Sequence, residues 1–154
     1  MAEQFQRDGT GLSRADYSAI AAFRYQLRRF LAFSEGAAAA VGLPPQQHQA
    51  LLAIAGHVGS SPPTIGLLAE QLLVAPHTAA ELAARMVESE LLAKVPSAQD
   101  RRRMELSLTP KAQKLLSELT SAHAEELKTL APALARALGG LGTAKPSEQG
   151  SSPH

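Results

Sequence analysis

Three consecutive arginines follow an aspartate at residues 100–103, and these residues are the best suited in the chain to bind an anion. Guanidinium groups bind phosphate oxygens through paired N–H donors, and a neighbouring carboxylate can hold an arginine in place. The stretch from Lys94 to Lys114 contains six basic and two acidic residues, whereas the whole chain of 154 residues has a net charge of only +1. This concentration of positive charge in one segment indicates a local site for a polyanion such as nucleic acid.

Patterns that carry enzymatic chemistry are absent from the sequence. There is no cysteine, which excludes disulfides, thiolate zinc sites and sensing through an oxidisable thiol. A Gly-rich phosphate loop, a nucleophile elbow and a metal-spaced motif are also missing. His48, His57 and His123 could be metal ligands or effector contacts, but histidines scattered in this way are more often packing or surface residues. We therefore predict a protein that is not an enzyme and needs no metal or cofactor.

Length and composition are those of one globular domain. A chain of 154 residues that is 45% hydrophobic can bury one sizeable core. No apolar run approaches the roughly 18 residues of a membrane span, and the first residues lack the apolar core of a signal peptide. A cytoplasmic protein without membrane contact is expected. Residues 1–12 and 142–154 are predicted to be disordered tails, because few of their residues could join a core.

Capping residues and prolines predict where the helices begin. Ser13 and Asp16 form a predicted capping box for a long first helix that runs to about Ala40. Proline favours the first helical turn and threonine is a good N-cap. On that basis, four further helices are predicted to begin at Pro45, Thr64, Pro76 and Thr109-Pro110. The last of them carries leucines at steps of three and four from Leu116 to Leu141, and Pro132 is expected to split it in two.

A two-stranded hairpin is predicted between the fourth and fifth helices. Apolar and polar residues alternate around Lys94 and again from Arg103 to Leu108, while the polar stretch 96–102 supplies a charged tip. Small Ala69 would allow the third and fourth helices to cross closely. The apolar contacts of a helix-turn-helix would then come from Leu68, Leu72, Val74, Ala79 and Leu82. The fold class expected is mainly α with a small β-wing, a winged helix-turn-helix.

The segment Asp100-Arg101-Arg102-Arg103-Met104-Glu105-Leu106-Ser107-Leu108-Thr109-Pro110-Lys111-Ala112 resembles the wing of the MarR family and the helix start behind it. Gly42-Leu43-Pro44 and Leu68-Ala69-Glu70-Gln71-Leu72 agree with that family as well. The resemblance implies a DNA-binding lobe at residues 43–109, between dimerisation helices at 13–42 and 110–141. It also implies that the fourth helix, at 76–90, enters the major groove of DNA and that the wing reaches the adjacent minor groove.

Site residues carried over from the resemblance lie on the fourth helix and on the wing. Asp100 is expected to orient Arg102, whose guanidinium suits a narrow minor groove, and Arg101 or Arg103 is expected beside phosphates. His77 and Glu81 either contact bases or are ordinary exposed helix surface. The full predicted DNA-binding set is Pro76, His77, Thr78, Ala80, Glu81, Arg85, Asp100, Arg101, Arg102 and Arg103.

Three positions depart from the family pattern. Leu73 and Glu90 stand where glycine is usual, and Ala75 replaces the usual serine-type N-cap before Pro76. Each departure predicts a slightly altered local geometry. The recognition helix is also rich in alanine, which offers no hydrogen bond to base edges, so sequence specificity is expected to depend partly on DNA shape.

The function that follows is a sequence-specific DNA-binding transcription regulator, interpreted as a repressor. The resemblance implies a homodimer on a pseudo-palindromic operator and a small-molecule effector, such as an aromatic acid, that relieves repression. The alternative is a winged-helix module that binds a protein and not specific DNA. Aromatic residues of the first helix could line an effector pocket, but their spacing favours the core or the dimer interface; they are Tyr17, Phe23, Tyr25, Phe30 and Phe33.

Overall fold

The computed structural model describes residues 11–141, so the predicted tails at 1–12 and 142–154 lie almost wholly outside the described residues. It contains five helices and two strands in the predicted order. The helices are α1 (Arg14–Ala40), α2 (Pro45–Ala55), α3 (Ile65–Leu72), α4 (Pro76–Glu88) and α5 (Pro110–Gly139). The strands are β1 (Leu92–Pro96) and β2 (Met104–Leu108). The mainly α fold with a small β-wing is therefore confirmed.

The chain divides into two compact units. One unit is Phe33–Ala124, here called the winged lobe, and the other comprises the described residues before and after it. The winged lobe contains the end of α1, all of α2 to β2 and the beginning of α5. In the second unit, Leu130 is buried on α5.

Hydrogen bonds from side chains confirm the predicted helix starts. The hydroxyl of Ser13 accepts from the backbone N–H of Asp16 at 3.2 Å, and the Asp16 carboxylate accepts from the Ser13 N–H at 2.9 Å. The Thr64 hydroxyl accepts from Leu67 N–H, and the Thr109 hydroxyl accepts from Ala112 N–H. These bonds satisfy N–H groups that have no partner within the first helical turn.

Helix α5 is continuous through Pro132, so the prediction that this proline splits it was wrong. Proline removes one backbone donor and crowds the preceding turn, which costs about 3 kcal/mol in a helix interior. Helical hydrogen bonding continues on both sides of the proline, and the leucine pattern keeps its phase across it, from buried Leu130 to half-buried Leu134. Burial of that apolar face offsets the local loss.

The core of the winged lobe joins α2, α3, α4 and the base of the wing. Leu51, Leu68, Met86 and Leu106 are its large, fully buried side chains. The residues predicted to form the helix-turn-helix contacts belong to this core: Leu68, Ala69, Ala79 and Leu82 are buried, and Leu72 and Val74 pack against them. Ala69 is 5% exposed, as expected for a small residue at a helix crossing.

Three helices in this lobe end in the same backbone motif, although only one ends with glycine. After α1, α3 and α4, the chain makes the paired hydrogen bonds of a Schellman turn, for example from Val74 N–H to the Ala69 carbonyl and from Leu73 N–H to the Glu70 carbonyl. The residue with positive φ is Gly42 in the first turn (74°), Leu73 in the second (55°) and Glu90 in the third (62°). The prediction of altered geometry at Leu73 and Glu90 was therefore wrong, since both adopt the left-handed conformation that glycine usually supplies.

Burial of the residue that follows each turn explains why a side chain is tolerated there. Leu43 and Leu91 are buried, and Val74 packs on the same core. Moving the positive-φ residue to an ordinary conformation would withdraw these side chains from the core. At Ala75, the predicted loss of an N-cap is observed, because no side chain caps α4.

Replacing Leu73 with glycine should stabilise the fold by about 1 kcal/mol, because the left-handed conformation penalises every side chain that has a Cβ atom. Leu73 is 92% exposed, so little packing is lost. Denaturant unfolding of Leu73→Gly and Leu73→Ala checks this, since alanine removes the exposed leucine but retains the backbone penalty. A Gly variant no more stable than the Ala variant would show that the turn is not strained.

Candidate nucleic-acid interface

The wing is a two-stranded antiparallel hairpin whose charged tip is closed by short hydrogen bonds. Leu92 pairs with Leu108 at its base and Pro96 with Met104 at its end. At the tip, Ser97 N–H donates to the Arg103 carbonyl at 2.8 Å, and Arg103 N–H donates to the Asp100 carbonyl at 2.9 Å. The buried Ser97 hydroxyl accepts from the N–H groups of Gln99 and Asp100. The arginines therefore stand on an ordered turn.

Asp100 contacts the arginine that the sequence assigned to it. Its carboxylate accepts from the backbone N–H of Arg102 at 3.0 Å and lies 3.6 Å from the Arg102 Nε. The Arg102 side chain is 94% exposed, so the carboxylate holds only its near end. This leaves the two terminal nitrogens of the guanidinium exposed to a ligand, as expected for an arginine that binds phosphate or inserts into a minor groove.

A backbone contact from the loop before α3 fixes the wing against the helix-turn-helix. The Leu106 N–H donates to the Pro63 carbonyl at 2.8 Å, and Thr64 forms an isolated antiparallel bridge with Glu105. The beginning of α3 therefore lies beside the second wing strand. Sequence periodicity gave no signal for this pairing, because it joins a loop to a strand over about forty residues.

Threonine and lysine at the start of α5 fix the base of the wing to the end of α4. The Thr109 hydroxyl donates to the Glu90 carbonyl at 2.6 Å, while the Thr109 N–H donates to the Leu91 carbonyl. Lys111 donates through Nζ to the Ser89 carbonyl at 3.1 Å, where a cation is favoured by the C-terminal end of the helix dipole. One of the six basic residues of this segment therefore has a structural contact within the lobe.

The beginning of α3, the beginning of α4 and the wing enclose an open concavity of about 680 Å³. Five of the predicted DNA-binding residues line it: Pro76, His77, Ala80, Arg102 and Arg103. Thr64, Gly66 and Glu70 line it as well, and the sequence prediction missed their place in the site. The sequence predicted Thr64 only as the N-cap of α3. Its place at the concavity was not predictable, because it depends on the contact between Pro63 and β2.

The other predicted residues lie outside this concavity. Glu81 and Arg85 are exposed on α4, Thr78 is half-buried on the same helix, and Arg101 is exposed at the wing tip. Ala79 and Ala83 are fully buried, so the exposed face of α4 offers few hydrogen-bonding side chains. Asp100 contacts the site through Arg102.

The residues of this lobe match a known family. Residues 41–103 match the model of the MarR family. Over these residues the chain is similar to the MarR family. The match runs from the end of α1 to the tip of the wing and includes the helix-turn-helix, so the resemblance predicted from sequence is confirmed. Among curated protein sequences, none matches the chain.

Solved structures of MarR-family regulators share the fold of this domain. The crystal structure of MepR, a transcription regulator of Staphylococcus aureus, matches at 21% identity and a TM-score of 0.62, over 76% of this chain and 84% of that one. The crystal structure of AbsC, a MarR family transcriptional regulator from Streptomyces coelicolor, matches at 16% identity and a TM-score of 0.66, over 86% of this chain and 93% of that one. A MepR point mutant, solved bound to an oligodeoxyribonucleotide, matches at 23% identity and a TM-score of 0.59, over 75% of this chain and 82% of that one. Both MepR and AbsC are described as transcription regulators.

Proposed function

We propose that this protein is a DNA-binding transcription regulator that acts as a repressor in the cytoplasm. The observation that carries the proposal is the concavity in which the exposed start of α4 faces two wing arginines, Arg102 and Arg103. A helix N-terminus and guanidinium groups both favour the phosphates of a DNA backbone. The DNA-bound MepR structure, with the same fold, supports this assignment. Among the described residues, no helix is long and apolar enough to cross a membrane.

In the proposed complex, α4 enters the major groove and the wing follows the minor groove beside it. His77 and Glu81 are exposed on α4 and can reach base edges, while Arg101, Arg102 and Arg103 neutralise phosphates or occupy the minor groove. The alanines of α4 contribute no base hydrogen bonds. Recognition therefore relies partly on how readily the operator takes up the required shape.

Alanine at position 100 should weaken DNA binding even though it removes a negative charge. Without the carboxylate, Arg102 loses its 3.0 Å backbone contact and its 3.6 Å side-chain contact, so the guanidinium must be ordered when DNA binds. We expect an affinity loss of a few fold, up to about tenfold with two wings per dimer. Titration with operator DNA at fixed salt checks this, and tighter binding by Asp100→Ala would show that charge alone governs the wing.

A homodimer on a pseudo-palindromic operator is part of the proposal. Apolar side chains on α1 and on α5 are exposed in the single chain, among them Ile20, Leu31, Leu127 and Leu138. Exposed apolar stripes of this kind commonly mark subunit interfaces. Sedimentation equilibrium at micromolar concentration should give a dimer, and a monomer that still binds operator DNA would contradict the assembly.

Selection of DNA from a random library at physiological salt tests the function directly. The expected result is enrichment of one inverted repeat whose half-sites are about one helical turn, 34 Å, apart. Affinity for the enriched site should fall steeply with salt, because bound arginines release counterions from DNA. No enrichment, together with weak and shallow salt dependence, would favour the alternative of a protein-interaction module.

Relief of repression by a small aromatic acid is proposed from the family resemblance. A thermal-shift screen of such acids, combined with release of operator DNA, tests it. Ligands that stabilise the protein and release DNA would support control by an effector. A screen in which no aromatic acid does either would count against it.

A further inference from the structure

Two buried histidines meet inside the winged lobe, away from the DNA-binding concavity. His48 on α2 is 1% exposed and His123 on α5 is 6% exposed. Their ring centroids are 4.9 Å apart, and the ring of Phe33 on α1 lies edge-on to His123 at 5.4 Å. The pair therefore connects three helices, and imidazole is the side chain whose ordinary pKa lies nearest to neutral pH.

A hydrogen bond places a proton on Nδ1 of the His123 ring, while the His48 ring has no partner at one of its nitrogens. His123 donates through Nδ1–H to the Leu119 carbonyl, because a carbonyl only accepts. In the neutral ring, Nε2 of His123 then accepts from the Ser34 hydroxyl at 2.8 Å. The Nε2 atom of His48 is fully buried and has no hydrogen-bond partner among the residues that the structure describes.

We propose that the His48–His123 pair is a proton switch, in which protonation of His48 loosens the packing of α2 in the winged lobe and thereby weakens DNA binding. The last clause rests on the proposed function, whereas the loosening itself does not. A charged imidazolium at His48 would be buried without a counter-charge and would face a second imidazole. Such a state is relieved when the ring reaches water.

The charges around the pair support this direction. Burial lowers the pKa of His48 below its ordinary value of 6.5, and electrostatic interaction with His123 lowers it further. Helix α2 has no other titratable side chain, and Glu35 on the nearby part of α1 is exposed. On α5 within the lobe, the other titratable residues are all exposed, namely Lys111, Lys114 and Glu118. On β2 and α3, which pack against α2, Glu105 is half-buried and Glu70 is exposed. Among the described residues of the winged lobe, no carboxylate is buried.

The sign of the pH dependence follows from this lowered pKa. As pH falls through 6.5, the unfolded chain binds a proton at position 48 before the folded chain does. The stability contributed by neutral His48 is thus complete above pH 6.5 and is lost progressively below it. The folded lobe then favours any conformation that exposes the ring.

The position of α2 explains how loosening would reach the DNA-binding surface. Helix α2 packs against α3 and against β2. Thr64 at the cap of α3 and Met104 at the start of β2 both line the concavity. A shift of α2 changes the support of both, so the relative placement of the helix-turn-helix and the wing depends on the charge of His48.

Histidine NMR and pH-dependent unfolding of the full chain test the switch. In the wild type, the His48 ring should titrate below 6.5. Between pH 6.5 and 5, the unfolding equilibrium constant of the wild type should rise up to about tenfold more per pH unit than that of His48→Leu. His57→Leu, the same substitution at a half-buried histidine of this lobe outside the pair, should keep the wild-type pH dependence. His48→Gln provides a second variant should leucine be poorly accommodated.

Operator affinity measured at pH 7.5 and 5.5 and at equal salt tests the coupling to DNA. The wild type should lose more affinity on acidification than His48→Leu does. Ordinary titration of His48, or equal pH dependence of stability in the wild type and His48→Leu, would overturn the switch. An acid-labile lobe whose DNA affinity responds to pH equally in both proteins would overturn its regulatory role. Absence of DNA binding at either pH would instead contradict the proposed function and leave the stability result to judge the switch.

Discussion

Replacing Arg102 with alanine should make the salt dependence of DNA binding shallower by about two units of slope in the dimer. Each phosphate that a protein neutralises contributes about 0.9 to the slope of log affinity against log salt, and a dimer presents Arg102 twice. The side chain is 94% exposed and lies on the concavity between α3, α4 and the wing. Titrations with operator DNA at several salt concentrations measure this slope.

The matched control for Arg102 is a lysine that the proposal places away from DNA. Lys128 on α5 is 73% exposed and pairs with Glu125 at 2.9 Å, so Lys128→Ala also removes one surface cation. It should leave the slope unchanged. Both variants should keep the wild-type free energy of unfolding to within about 0.5 kcal/mol, because exposed side chains contribute little to stability. Equal slopes for Arg102→Ala and the wild type would show that Arg102 of the wing does not contact DNA.

Local sequence signals predicted the helices and strands of this domain well, because each signal acts over a few residues. Ser13 and Asp16 are three positions apart and bond to each other as a capping box. Thr109 caps α5 in the same local way. The alternation of buried Leu106 with exposed Ser107 is likewise a property of one strand. Such features need no knowledge of the rest of the chain.

Long-range packing decided the features that local rules predicted wrongly. Leu73 and Glu90 take the left-handed conformation because Val74 and Leu91, which follow them, pack in the core. Pro132 stays within α5, although local propensity alone would end the helix there. In each case, a conformational cost of a few kcal/mol or less is smaller than the burial that depends on it.

The candidate site was only partly predictable for the same reason. The charged tip and the start of α4 stood out by residue type, but the sequence did not show that α3 completes the surface. That arrangement depends on the hydrogen bond from Leu106 to Pro63. The buried pair of His48 and His123 was also not predicted. The two histidines are 75 residues apart, and each alone was interpreted as an ordinary packing or surface residue.

Replacing Leu106 with alanine should lower the free energy of unfolding by about 3 kcal/mol, within the usual range for such a deletion in a core. Leu106 is 2% exposed and belongs to the same core as α2 and α3. Deleting its side chain removes buried apolar surface and leaves a cavity at the base of the wing. Because total stabilities of small domains are about 5–15 kcal/mol, this would be a large fraction of the whole.

Ser107 is the matched control, because it is the next residue on the same strand and faces solvent. Ser107→Ala should change the unfolding free energy by less than about 0.5 kcal/mol, while Leu106→Ala shifts the denaturant midpoint strongly at an unchanged m-value. Both variants keep the backbone hydrogen bond between Leu106 and Pro63. The difference between their unfolding free energies therefore measures the packing of the inward face of β2 and not the pairing of the strand. If the two variants unfold at the same midpoint, the wing does not pack on the helix-turn-helix, and Arg102 and Arg103 are not held beside α4 by the core.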